Sequence, residues 1–326
     1  MTTIKYAVYA AMLLANTAWA AQPVAADAYV LARTVELGAV SKWDYLDVDQ
    51  QRHRLFLSRG DRVQVLELPV LKPLADIPGT AGVHGIAFAQ DLKLGFTSNG
   101  KANSVTVFDL DTLAVKQEIG IPGINPDAIL YDEASKKLYT FNGKSMDATV
   151  IDATTLQVVA SIKLSGKPEF AVSDGQGRVF VNIEDRAEVA VIAVADNAVF
   201  AKWPLAGCEE PTGIALDKAH ERLFSVCQNE VMQVTDSKNG KQVASVKIGK
   251  RPDAALYDAD TATVFASNGA GSLSVIRQAD ADHYAAKEIA TRKGARTMAI
   301  DNATKALYLP VADGKKLMLL EMKPVK

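Results

Sequence analysis

The sequence predicts an all-β fold of seven consecutive units, each a small four-stranded sheet, and three observations predict it. One stretch of sequence recurs at intervals of 40 to 44 residues along almost the whole chain. Each copy alternates apolar and polar residues with a period of two, and Asn, Asp and Gly separate the apolar runs, which is the pattern of short strands and turns. No segment carries the 3.6-residue apolar stripe of an amphipathic helix.

The repeat is clearest in two copies, GINPDAILYDEASKKLYTFNG (123–143) and GKRPDAALYDADTATVFASNG (249–269). Both contain Pro-Asp-Ala, then Leu-Tyr-Asp, a polar turn, and a short strand that ends in Asn-Gly. The five other copies lie at 43–61, 83–100, 167–185, 210–229 and 296–314. The residues that begin the first strand of each unit are Asp44, His84, Asp127, Glu169, Thr212, Asp253 and Thr297. Such regular spacing over seven copies predicts a closed repeat architecture.

Each unit predicts four strands in chain order. In the third unit these are Ala128–Tyr131, Leu138–Phe141, Ala148–Asp152 and Val158–Ile162. Four strands and a period in the forties are typical of the blades of a β-propeller. The seventh unit supplies strands only near 297–301, 306–311 and 316–322, whereas YVLARTVEL (29–37) is a strand without a unit. We expect that strand to complete the seventh blade, because closure removes an exposed sheet edge.

Several motifs resemble the YVTN β-propeller repeat family. They are Tyr139-Thr140-Phe141-Asn142, Val264-Phe265-Ala266-Ser267-Asn268 and SVTVFDLDT (104–112), and the segment from 167 to 227 is similar to exported, YncE-like bacterial members. The resemblance covers nearly the whole chain and implies a seven-bladed exported propeller, in a family whose members are mostly binding or interaction proteins. Blades four and five depart from the Asn-Gly ending, with Ile183-Glu184-Asp185 and Val226-Cys227-Gln228.

The amino terminus has the pattern of an export signal. Lys5 precedes an apolar run from Tyr6 to Leu14, and Ala18-Trp19-Ala20 supplies small residues for cleavage near Ala20. We therefore expect a periplasmic protein, a monomer, in which residues 1–20 are the signal peptide and 21–326 form one propeller domain without a membrane span. Loss of one lysine and no acid on cleavage changes the formal charge from −2 to −3. That balance disfavours nucleic acid as a partner.

The starts of the first strands predict a ring of side chains around one mouth of the central channel. With residues on the adjoining loops they form a candidate binding site for a small ligand, a cation or an envelope protein. The predicted site residues are Trp43, Asp44, His84, Asp127, Glu169, Glu210, Arg251, Asp253 and Arg296. The alternative interpretation is that these acids only face water or cap strand ends. Trp43 could equally pack between blades.

No catalytic residue, metal ligand or cofactor is predicted from a motif. His-Glu-x-x-His, Cys-x-x-Cys-His and a nucleophile elbow are all missing from the sequence. A metal-assisted lactonase or lyase, with a carboxylate-bound cation and His84 as base, is one alternative. Nucleic-acid binding through Arg251, Arg296 and Lys167 is another. Asn99, Asn142 and Asn268, each before a glycine, are interpreted as turn residues with positive φ.

Cys208 and Cys227 are the only cysteines. Both are predicted on the same face of the ring, and an exported chain meets an oxidising compartment, so we expect them to form a disulfide. Closing a loop of about twenty residues would stabilise the fold by about 3 kcal/mol. A copper(I) site made of both thiolates and Met232 is the alternative.

Overall fold

The computed structural model describes residues 29–278 and 283–325. The predicted signal peptide, residues 1–20, lies outside the described residues. The described chain forms seven four-stranded antiparallel sheets, six with their strands in sequential order and one completed by the amino-terminal strand, and this confirms the predicted seven-bladed β-propeller. The first strands of neighbouring blades contact each other around a central channel. Within the described ranges, no helix has the length and apolar character that crossing a bilayer requires.

The strands follow the predicted order. The amino-terminal strand is β1 (Tyr29–Ala39). Blade 1 contains β2 (Leu46–Asp49), β3 (Arg54–Ser58), β4 (Val63–Glu67) and β5 (Lys72–Ile77). Blade 2 contains β6 (Val83–Ala89), β7 (Leu94–Asn99), β8 (Ser104–Asp109) and β9 (Val115–Gly120). Blade 3 contains β10 (Pro126–Asp132), β11 (Lys137–Asn142), β12 (Asp147–Asp152) and β13 (Gln157–Lys163).

The remaining blades repeat this arrangement. Blade 4 contains β14 (Pro168–Ser173), β15 (Arg178–Ile183), β16 (Glu188–Ala193) and β17 (Ala198–Pro204). Blade 5 contains β18 (Pro211–Asp217), β19 (Arg222–Cys227), β20 (Val231–Asp236) and β21 (Gln242–Lys247). Blade 6 contains β22 (Pro252–Asp258), β23 (Thr263–Asn268), β24 (Ser272–Gln278) and β25 (Tyr284–Ala290). Blade 7 contains β26 (Ala299–Ile300), β27 (Leu307–Asp313) and β28 (Lys316–Pro324) together with β1.

The seventh blade closes as the sequence predicts. Strand β1 pairs antiparallel with β28, with Tyr29 opposite Pro324 and Ala39 opposite Lys316. Across this pair Arg33 Nε donates to the buried carboxylate of Glu321 at 2.5 Å. Arg59 of blade 1 is buried, and it donates to the carbonyl oxygens of Leu37 and Ala39. The amino-terminal strand is therefore held both by its own blade and by the next one.

The core lies between the blades, because each blade packs against a neighbour on both sides and this buries both faces of its middle strands. In blade 2 the side chains of β8 are buried at five of six positions, whereas β9 on the outside is exposed at five of six. Aromatic rings fill the space between sheets, as where Phe56 of blade 1 lies 5.8 Å from Phe108 of blade 2 between ring centroids. This packing fixes the positions of the first strands that line the channel.

The interpretation of Asn99, Asn142 and Asn268 as turn residues is wrong. None of the three, and none of the glycines that follow them, has a positive φ. Each asparagine ends the second strand of its blade and is fully buried. The side chain bonds to the next strand, as where Asn99 Nδ2 donates to Ser104 Oγ at 3.1 Å and Thr106 Oγ1 at 2.8 Å. These residues therefore satisfy buried polar groups at the ends of strands, without the positive φ that the Asn-Gly interpretation required.

Candidate functional site

The channel mouth at which the first strands begin is here called the funnel face. In blades 2 to 6 the pairing between the first and second strands shifts register at the first-strand start, for example between Val83 and Ile86 and between Pro126 and Ile129. Such a bulge re-aims side chains locally. The residues at these irregular positions are His84, Asp127, Glu169, Thr212 and Asp253.

Two of the seven residues at the first-strand starts are threonines. They form hydrogen bonds between neighbouring blades and carry no charge. Thr212 Oγ1 donates to the carbonyl oxygen of Pro252 at 3.2 Å, and Thr297 Oγ1 donates to that of Asp44 at 2.7 Å. Both threonines are buried. The remaining members, Asp44, His84, Asp127, Glu169 and Asp253, together with Arg296, are here called the funnel cluster.

His84 lies between two carboxylates from neighbouring blades. Its Nδ1 is 2.6 Å from Asp44 Oδ2 and 3.6 Å from Asp127 Oδ1. Burial opposes protonation of the imidazole, but the hydrogen bond to Asp44 and the charges of Asp127 and Asp44 outweigh burial and raise the pKa of His84. The two aspartates therefore favour the protonated form of the ring, which offsets part of their charge.

Three carboxylates of the cluster have raised pKa values. Burial raises the pKa of Asp253 to about 6, although Arg296 opposes this. Burial, and then the charge of Asp127, raise the pKa of Glu169 to about 8. Burial also raises the pKa of Asp127 against the opposing charge of His84. These acids are therefore poorly solvated and incompletely neutralised by the protein itself.

Two basic side chains, Arg296 and Lys167, neutralise only part of the negative charge of these carboxylates. Arg296 Nη2 lies 3.3 Å from Asp44 Oδ1, and Arg296 Nη1 lies 3.2 Å from Asp253 Oδ2. Lys167 Nζ lies 3.1 Å from Glu169 and also contacts Glu184. The four carboxylates of the cluster and Glu184 outnumber Arg296, Lys167 and His84, so the inner funnel has more acidic than basic groups.

Two aromatic side chains lie in the channel next to the funnel cluster. Tyr45 and Phe170, which directly follow Asp44 and Glu169 in sequence, have ring centroids 5.3 Å apart. Burial and the surrounding carboxylates raise the pKa of Tyr45 well above its ordinary value. Beyond the pair the channel is mainly apolar, a cavity of about 360 Å³ lined by residues such as Ile86, Ile129 and Leu256. Sequence reasoning missed both aromatics, although their position one residue after a marker was available as a signal.

A second cavity lies on the outer side of the cluster, over blades 1 to 3. Its volume is about 630 Å³, and it is here called the lysine cavity after Lys42, Lys101 and Lys144 in its wall. Asp44, His84 and Arg296 also line it. Gly100 borders the cavity, and a Cβ at that position would come within 2.8 Å of the His84 ring. Glycine is therefore required here by close approach, not by backbone conformation.

Part of the predicted site lies apart from the cluster. Trp43 packs against the apolar residues between blades 7 and 1, as one of its two interpretations predicts, and it also borders the lysine cavity. Glu210 is exposed and lines a separate cavity with Glu184, Asp185 and Glu209. Arg251 is exposed. Both Glu210 and Arg251 have left-handed backbone, with φ of 47° and 58°.

Asp44, His84 and Asp127 are the group that could hold a metal ion. Each offers one ligand atom, and the three atoms lie within 4.8 Å of one another. An imidazole and two carboxylates suit several divalent cations.

The predicted disulfide is confirmed. Cys208 and Cys227 are bonded, with a Cα–Cα distance of 5.4 Å. The copper(I) alternative is wrong, because the two sulfur atoms are bonded to each other and Met232 is buried in the apolar core. The bond joins the loop entering blade 5 to the end of β19 on the funnel face.

A comparison with solved structures supports the propeller fold. The chain is similar to a solved structure titled "Kuenenia stuttgartiensis Hydrazine Synthase", with a TM-score of 0.75 and 14% sequence identity over 90% of this chain and 99% of that one. At this identity the likeness supports the fold alone. No protein-family model and no curated protein matches the chain. The resemblance to the YVTN family therefore stays a prediction.

Proposed function

We propose that this chain is an exported, non-catalytic propeller that binds a small ligand at its funnel face. The YVTN-like motifs, the export-signal pattern and the disulfide support a role outside the cytoplasm. The funnel cluster is the proposed binding site, with Asp44, His84, Asp127, Glu169 and Asp253 supplied by five different blades. Glu210 and Arg251 belong to the surrounding rim, where a protein partner would meet them.

One observation carries this proposal: the acids at the two ends of the channel are used differently. On the opposite face, aspartates at the ends of the first strands accept backbone N–H groups of the following turn. They are Asp49, Asp132, Asp174, Asp217, Asp258 and Asp301. In the funnel cluster, among the described residues, Asp127, Glu169 and Asp253 meet only charged side chains. Turn building explains the first set and does not explain the second.

The proposal is tested with protein purified from the periplasm. Native mass spectrometry is expected to show a retained small ligand on the wild type and none on His84→Ala or Asp127→Asn. His220→Ala is the matched control, because His220 Nδ1 lies 2.7 Å from Asp217 in a similar pair on the opposite face. Equal ligand retention by all variants, or an empty wild type that also binds nothing from a periplasmic extract, would contradict the proposal.

A metal-assisted hydrolase is the second candidate, favoured by the spacing of Asp44, His84 and Asp127. It requires turnover of a lactone that depends on an added divalent cation and is lost in His84→Ala. Nucleic-acid binding through the basic residues is weaker, since Arg296 and Lys167 already pair with carboxylates. A steep fall in affinity for single-stranded DNA with salt, lost in Arg251→Ala, is what that alternative requires.

A further inference from the structure

The funnel face carries two layers of opposite charge. The inner layer is the funnel cluster, whose carboxylates outnumber their cations. The outer layer is the wall of the lysine cavity, to which Lys42, Lys101 and Lys144 contribute from the loops of blades 1, 2 and 3. Asp44 and His84 line the same cavity, so the two layers share one continuous space of about 630 Å³.

The three lysines are available to a ligand. All three are exposed, and within residues 29–278 and 283–325 none of them takes part in an ion pair with an acidic side chain. Exposed lysines without an acidic partner also occur elsewhere, but Lys42, Lys101 and Lys144 differ from them in sharing the wall of one cavity. Three unpaired ammonium groups around one concave space therefore attract an anion.

The backbone beneath the lysines is built for close approach. Gly82 has a φ of +72°, and a Cβ there would meet Lys101 Cγ at 2.6 Å and its backbone nitrogen at 2.7 Å. Any other residue at Gly82 would displace the Lys101 stem. A side chain at Gly100 would likewise displace the His84 ring on the inner side. Glycines thus allow the anion-attracting wall and the carboxylate cluster to face the same cavity.

We infer that the funnel binds a small zwitterion, whose anionic group contacts Lys42, Lys101 and Lys144 and whose ammonium group reaches Asp44 and Asp127. This inference rests on the proposed function and specifies its ligand class. An anion alone adds no positive charge to the inner carboxylates, which outnumber the cations paired with them, and a cation alone leaves the three lysines without an acidic partner. A cavity of this volume accommodates a molecule with an ammonium and an anionic group a few bonds apart.

The test uses three matched probes in isothermal titration calorimetry at low salt with EDTA present. They are O-phosphoethanolamine, inorganic phosphate and ethanolamine. The zwitterion is expected to bind at least about tenfold more tightly than either half, since each half lacks one set of charge-assisted hydrogen bonds. Lys101→Ala/Lys144→Ala is expected to weaken O-phosphoethanolamine binding by at least about tenfold, and Asp127→Asn to remove its advantage over phosphate.

The control variant is Lys218→Ala/Lys241→Ala, which removes two exposed lysines from turns on the opposite face and should leave all three affinities unchanged. Equal affinity for phosphate and O-phosphoethanolamine would overturn the inference, and so would equal affinity for ethanolamine. Phosphate binding that appears only when a divalent cation replaces EDTA would overturn it in favour of a metal-bridged anion. If no probe binds while periplasmic protein retains another ligand, the inference fails and the proposed function stands.

Discussion

Glu169 should make the protein less stable as pH rises, and replacing it should show this. Its pKa is about 8 in the fold against an ordinary value of 4.5. The folded state therefore holds the proton more tightly than the unfolded state does. A raised carboxyl pKa gives stability that is fully present below the unfolded pKa and is lost as pH rises through the folded pKa. For Glu169 the window of loss runs from about 4.5 to about 8.

The size of the effect follows from the same values. A difference of roughly 3.5 pKa units corresponds to about 5 kcal/mol, which is a ceiling. The Glu169 side chain is 17% exposed, and its charge is shared with Lys167 and the other cluster acids, so about 2 kcal/mol is a more realistic value. Glu169→Gln removes the charge but keeps the shape. Lys167 still has Glu184 as its partner, so no buried cation is left alone.

Urea unfolding at two pH values tests this. At pH 8.5, Glu169→Gln is expected to be more stable than wild type by about 2 kcal/mol, and at pH 5 the two should differ by less than about 1 kcal/mol. Glu133→Gln, in an exposed turn on the opposite face, is the control and should change stability at neither pH. A Glu169→Gln protein that is less stable than wild type at pH 8.5 would refute the reasoning, because the Lys167 pair would then outweigh burial.

Three further predictions concern the rest of the fold. Replacing both cysteines with alanine should lower the free energy of unfolding in urea by about 3 kcal/mol, and an unchanged midpoint would contradict this. Arg33→Ala removes one of the two cationic partners of buried Glu321 and should lower the free energy of unfolding by about 2 kcal/mol in the same assay. Arg33→Lys keeps the positive charge and should retain most of that stability. Gly100→Ala places a methyl group against the His84 ring. It should weaken ligand binding at least about tenfold with a nearly unchanged melting temperature; unaltered binding would show that the ring can move.

The architecture was predictable because its signals are local and repeated. Period-two patterning in each copy predicts strands, and the interval between copies predicts blades, so seven independent stretches support one conclusion. Even the closing strand could be found, since 29–37 has strand character and the last unit is one strand short. The disulfide followed from a predicted export signal and two cysteines. None of these steps required knowledge of a side-chain contact.

The site was predictable only where side-chain direction follows from strand position. His84 and Asp127 lie at bulges near the starts of first strands, and Asp44 lies two residues before β2, so the marker series brings the three together. Glu210 and Arg251 stand on loops with left-handed backbone, and sequence spacing does not determine where such loops point. The Asn-Gly dipeptides led to a wrong prediction of positive φ for a related reason. The dipeptide usually signals a hairpin turn, but burial between blades gave Asn99 a strand conformation and a network of hydroxyl partners.

The cluster differs from the way in which other buried acids of the described chain are satisfied. Backbone amides and Arg52 satisfy Asp49, and Arg33 and Lys323 satisfy Glu321, whereas desolvation in the channel raises the pKa of Asp47 to about 7. At the funnel, Glu169 and Asp253 have too few counter-charges and hold protons near neutral pH. Proteins tolerate such local conflicts mainly at functional sites. An ammonium group bound at Asp44 and Asp127 would add positive charge beside these acids, lower their pKa values and offset the stability that they cost as pH rises. The same imbalance therefore accounts for both the expected stabilisation by Glu169→Gln and the expected affinity for a ligand with a cationic end.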